Sequence, residues 1–155
     1  MTASPDTLFD PRQILITLVA RGVDFVVVGG VAVQAHGHIR ATRDLDVIAR
    51  TSQANNRRMS NALAELDAEE IGKRVPVVGY STRHGRLDLV DFDADFDQLR
   101  DRALVVELDG FEVAVASLDD LVRMKRAAGR PQDLGDIGAL TRDDEELQRE
   151  AREST

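Results

Sequence analysis

The chain has no cysteine, so it can form neither disulfides nor thiolate metal sites, and any metal it binds must take oxygen or imidazole ligands. That fits a reducing compartment. It also lacks an apolar run near the roughly 18 residues that a membrane helix needs. Its first residues, MTASPDTLFD, carry neither the basic flank nor the apolar stretch of a targeting segment, so the expectation is a cytoplasmic protein with no membrane partner. A basic excess is missing too. Lys and Arg number 20 against 28 Asp and Glu, a formal net charge of -8, which argues against gripping duplex DNA through many phosphates and leaves room for a local basic pocket. There is no GxSxG nucleophile elbow, no GxxxxGKS/T phosphate loop and no GxGxxG fingerprint, which removes the main support for serine-nucleophile, kinase-like and dinucleotide-binding readings. The three histidines, His36, His38 and His84, do not form a ligand set, because His36 and His38 cannot share a helical face; helix-end or turn roles suit them.

What is present is ordinary for a folded protein: 155 residues, 43% hydrophobic and 31% charged, enough for one core. We read one domain over residues 1–140, followed by a polar helix or tail over 141–155. Asp10 and Pro11 cap and open a helix to about residue 21, stopped by Gly22. DFVVV is a buried strand ending at Gly29 and Gly30, with a short helix in VAVQAH behind it. DLDVIA (44–49) is a second strand, and NNRRMSNALAEL an amphipathic helix capped near Thr51 or Ser52. A loop is expected around Gly72 to Pro76, then VVGYST and RLDLVDF as strands joined at RHG, then a hairpin turning at Asp109-Gly110. Ser117 starts a helix through LDDLVRMKRAA that Gly129 ends, and Pro131 opens another to about Leu140. The order, helices and strands mixed with most strands late, predicts an α/β or α+β fold with a mixed central sheet flanked by helices.

Chemistry concentrates in acids on the strands. Residues two apart on a strand point to one face, so Asp44 and Asp46 project together while Leu45 and Val47 face the opposite way. In RLDLVDF the same parity separates Asp88 from Leu87 and Leu89, so an adjacent strand can add a third carboxylate. Two unit charges 4 Å apart repel by about 4 kcal/mol at an effective dielectric of about 20, a cost that a divalent cation removes. Oxygen-only ligands that leave positions for water and phosphate suit magnesium better than zinc, which points to phosphoryl chemistry. Asp-x-Asp alone is a weak signal, equally the solvated face of an edge strand. Its context is stronger. Thirteen residues separate Gly30 from Asp44, and a glycine turn before a short helix lets backbone amides approach a phosphate.

GGVAVQAHGHIRATRDLDV, with GRLDLVDF later, resembles the nucleotidyltransferase fold of the DNA polymerase β superfamily, and among its members the small bacterial AbiEii-toxin-like nucleotidyltransferases, over about residues 24–140. The resemblance implies transfer of a nucleoside monophosphate from a nucleoside triphosphate to an acceptor hydroxyl. It implies two Mg2+ ions, with Mn2+ as a substitute, held by Asp44, Asp46 and Asp88; Asp88 would also help activate the acceptor hydroxyl. It places Gly29 and Gly30 on the triphosphate. Many members have serine after the first glycine where this chain has Gly30 and Val31, so backbone amides would replace a hydroxyl contact.

The same resemblance carries over Lys125 as a triphosphate contact and Asp133 as a further site residue. Lys125 lies with Leu121, Met124 and Ala128 at helical spacing, where its stem can instead pack on the core with the ammonium in water. Asp133 falls in the first turn after Pro131, where a carboxylate also answers the helix dipole. Arg40 and Arg86 can clamp phosphates or simply balance the acids. For the acceptor, the resemblance implies an RNA end, such as that of a transfer RNA, modified by the toxin of a toxin-antitoxin pair. The alternatives are an antitoxin enzyme that modifies a partner protein and a degenerate module that binds nucleotide or partner without transfer.

Overall fold

The structure, a computed structural model, describes residues 9–39, 41–74, 76–92 and 95–128. Two compact units emerge, Met1–Ser117 and Leu118–Thr155. In the first, the chain runs α1 (Pro11–Ala20), β1 (Phe25–Val28), α2 (Gly29–Ala35), β2 (Asp44–Ala49), α3 (Gln53–Glu65), β3 (Glu69–Arg74), β4 (Val77–Thr82), β5 (Gly85–Val90), α4 (Phe96–Arg102), β6 (Leu104–Leu108) and β7 (Phe111–Val115). In the second, α5 (Leu118–Ala128) is described. The domain end expected at residue 140, the helix expected from Pro131 and the polar tail lie outside the described residues.

All seven strands join one mixed sheet in the order β3-β4-β5-β2-β1-β7-β6. β1 runs antiparallel to β2 and parallel to β7, while β2 runs parallel to β5. Strand β1 lies inside the sheet, and each of its four residues is at most 5% exposed, the continuous apolar run of a strand covered on both faces. Leu45, Val47 and Leu87 join Ile14, Leu18 and Val26 in the fully buried core. The expected mixed α/β architecture is therefore the observed one.

Local signals explain most boundaries. Asp10 Oδ1 accepts from the Gln13 amide and Pro11 opens α1. Ser52 Oγ accepts from the Asn55 amide at 3.1 Å to cap α3. Asp109 and Gly110, both at positive φ, make the tight β6–β7 turn. Two expectations need correction. The loop placed around Gly72 to Pro76 is largely strand β3, because an edge strand whose six residues are all exposed carries no apolar alternation to betray it. Helix α4 was not anticipated either: capped by Asp95 and only seven residues long, it buries Leu99 alone and shows no apolar stripe.

Asn55 ties the start of β1 to α3 and to the end of β2. Only 1% exposed, it accepts from the Asp24 amide at 2.7 Å and donates to the carbonyls of Asp24 and Arg50 at 3.0 and 2.8 Å. Removing it takes the partner from the Asp24 amide and the Arg50 carbonyl, while the Asp24 carbonyl keeps the Arg50 amide at 3.0 Å. Asn55→Ala is expected to cost about 2–4 kcal/mol in urea denaturation; a cost under about 0.5 kcal/mol would mean that water replaces the amide.

Candidate active site

The site is assembled by register. β2 lies between β1 and β5, and its residue Asp46 stands opposite Val28 on β1 and Asp88 on β5, with Asp44 opposite Arg86. Because directly paired residues share a face, Asp46 and Asp88 meet, and strand parity adds Asp44 to them. One carboxylate oxygen from each of Asp44, Asp46 and Asp88 lies within 4.8 Å of the others. Asp88 is only 4% exposed, and Asp44 and Asp46 are half-buried.

Crowding acids out of water has its electrostatic consequence. The Asp46 carboxyl is pushed up to about 7, first by burial, then by the charges of Asp44 and Asp88 and a hydrogen bond with Asp88, while Arg86 opposes the shift. The cluster therefore holds a proton near neutrality unless positive charge replaces it. Arg86 supplies part of that charge. Its Nε donates to Asp88 Oδ1 at 2.9 Å, and this bond, with the three acids around it, raises the guanidinium pKa further. Charge balance, one of the two roles open to Arg86, is thus the contact it makes here; its side chain remains 51% exposed.

Two glycines make room for the acids. Gly29 follows β1 directly at φ +69, and a Cβ there would overlap the Asp46 carboxylate. Gly79 pairs with Asp88 from β4, and a Cβ there would sit 3.0 Å from both Asp88 Oδ1 and Arg86 Nη2. Gly29 thus has a steric duty besides the phosphate contact expected of it, and Gly79 had no assigned role. A glycine inside the β-rich run VVGYST was the available signal, since such a position marks a close approach. Gly30 lies in the first turn of α2, beside Gly29. Lys125 is half-buried on α5 in the second unit. Arg40 and Asp133 lie outside the described residues. Of the histidines, His36 ends α2 with Nε2 at 2.8 Å from the Ala116 carbonyl, a helix-end role as expected.

Three oxygen donors around a site that retains a proton only by default fit a hard divalent cation. Among the described residues no helix is long and apolar enough to cross a membrane.

Comparison with known proteins follows the same direction. The family model described as nucleotidyltransferase of unknown function (DUF6036) matches residues 10–142. No curated protein matches the sequence. Among solved structures, the fold is similar to that of the lincosamide antibiotic adenylyltransferase LnuA with lincomycin bound, at TM-score 0.64 and 15% identity over 88% of this chain and 98% of that one. It is similar to ANT(2")-Ia in complex with adenylyl-2"-tobramycin, at TM-score 0.60 and 15% identity over 93% and 95%. An antigenic nucleotidyltransferase-like protein from Paracoccidioides brasiliensis gives TM-score 0.56 and 16% identity over 86% and 77%.

Proposed function

On the premise that this chain belongs to the DUF6036 family of nucleotidyltransferases, we propose that it transfers a nucleoside monophosphate from a nucleoside triphosphate to an acceptor hydroxyl, with pyrophosphate leaving. The observation that carries this reading is the convergence of Asp44, Asp46 and Asp88 to within 4.8 Å. These three would hold Mg2+, as two ions or with Mn2+ in their place, and when bound the metal supplies the positive charge that phosphoryl oxygens need as charge shifts from nucleophile to leaving group. The chain's own residues do the positioning. Arg86 Nε donates to Asp88 Oδ1 and holds that carboxylate in the cluster, where Asp88 would help activate the acceptor hydroxyl. Gly29 and Gly30 bring backbone close to the triphosphate without a side chain in the way, and the family resemblance makes Lys125, Arg40 and Asp133 the further residues to test for contacts to triphosphate and acceptor.

The motifs' similarity to AbiEii-like toxins makes an RNA end the first acceptor to test. A small hydroxylated acceptor is the second, supported by near full-length correspondence with two enzymes whose names record lincomycin and adenylyl-tobramycin. A partner protein modified by an antitoxin enzyme is the third. Labelled nucleoside triphosphates incubated with Mg2+ and, separately, RNA, hydroxylated small molecules and cellular protein should label one of them. Label on RNA selects the toxin reading, label on a small molecule the second, and label on protein the third. Metal and nucleotide binding with transfer to nothing would leave only a non-catalytic binding module.

A further inference from the structure

Strand β3 ends the sheet, with its outer edge unpaired among the described residues. Its sequence, Glu69-Glu70-Ile71-Gly72-Lys73-Arg74, is acidic at one end and basic at the other. All six residues are exposed, Ile71 by 53%. Among the described residues none of the four charges has an ion-pair partner.

The faces on which these charges stand follow from the pairing with β4. Glu69, Gly72 and Arg74 oppose Ser81, Gly79 and Val77, while Glu70 and Lys73 oppose Tyr80 and Val78. Opposed residues share a face, so Glu69 and Arg74 lie on one side of the sheet and Glu70 and Lys73 on the other. A regular strand could not do this, since residues five or three apart would fall on opposite faces. The bulge between Glu70 and Gly72 adds one residue, Ile71, and restores the parity.

That arrangement is what a two-fold axis perpendicular to the sheet requires. Two β3 strands laid antiparallel about Gly72 bring Glu69 of one copy to Arg74 of the second on one face, and Glu70 to Lys73 on the other. The axis repeats both pairs, and Ile71 falls beside it, where pairing covers an exposed apolar side chain. Edge strands that avoid pairing set charges to repel any neighbour strand; this one sets them to repel a parallel copy and attract an antiparallel one.

We propose that the β3 edge is a self-complementary dimerisation strand whose partner is a second copy of this chain, joining two sheets antiparallel about Gly72. One strand pair buries little area, so the dimer is transient, dissociating in the micromolar to millimolar range. Charge reversal tests it by sedimentation equilibrium. Glu69→Lys with Glu70→Lys gives an all-basic strand and Lys73→Glu with Arg74→Glu an all-acidic one; each alone should self-associate at least about tenfold more weakly than wild type. Mixed in equal amounts, the two should associate at least as tightly as wild type. Raising salt from about 0.05 to about 0.5 M should dissociate the unaltered protein, which keeps the proposal testable should a variant fail to fold. A wild-type chain that stays monomeric at about 1 mM would overturn the proposal. So would variants that dimerise as well as wild type, which would point to another surface such as the exposed Leu104 and Val105 of the β6 edge.

Discussion

Asp46→Asn is expected to abolish nucleotidyl transfer while making the metal-free protein more stable at pH 8. Loss of one of three oxygen donors at the phosphoryl site should reduce turnover at least about a thousandfold, equivalent to about 4 kcal/mol of transition-state stabilisation. The stability gain follows from the raised carboxyl. With Asp46 titrating near 7 when folded, the folded chain holds a proton between about pH 4 and 7 that the unfolded chain has released. Stability from this group is therefore fully present below about pH 4 and is lost as pH rises through 7, by up to about 4 kcal/mol. Asparagine imitates the neutral form at every pH. Urea denaturation in a chelator should show wild type weakening from pH 5 to 8 and the variant weakening by about 2–4 kcal/mol less. Parallel pH profiles for the two proteins would show that Asp46 is not the group holding the proton. Mg2+ should offset the alkaline loss in wild type, since it competes with that proton for the same oxygens.

Gly29→Ala should damage the same site without removing any charged group. Its φ of +69 charges any side chain about 1–2 kcal/mol, and the new Cβ would displace the Asp46 carboxylate. A total stability loss of about 2–4 kcal/mol and at least a hundredfold fall in transfer, about 2.7 kcal/mol in the barrier, are expected. Gly110→Ala is the control. Gly110 also sits at positive φ, +84, but a Cβ there meets nothing within 4 Å, so only the backbone cost of about 1 kcal/mol should appear and transfer should be untouched. Equal activity losses in both variants, measured at matched folded fraction, would rule out the steric account of Gly29.

These two residues were readable from the chain to different degrees. Asp44 and Asp46 announce themselves, because alternation on a strand depends only on the local backbone and sets both acids on the face opposite Leu45 and Val47. The Asp109-Gly110 turn and the Ser52 cap are equally local, each made by residues within a few positions of one another. Gly29 was legible as a turn, but its closeness to Asp46 was not, since that depends on Val28 standing opposite Asp46 across β1 and β2. Gly79 was legible only as an anomaly in a strand. Its purpose appears once β4 sets it against Asp88. β3 and α4 escaped detection because one buries nothing and the other one side chain, and periodicity reveals an element only through what it buries.

The sequence by itself determined the acids, the parity that sets them on a single face, the caps and the turns, for all of these are decided by bonded geometry and neighbours within one turn or strand. Tertiary structure alone decided that β2 lies between β1 and β5, and with it that Asp46 meets Asp88 at the side of Gly29. Strand neighbours are chosen by the burial of apolar faces that are far apart in the chain, and no local pattern encodes which partner buries them best.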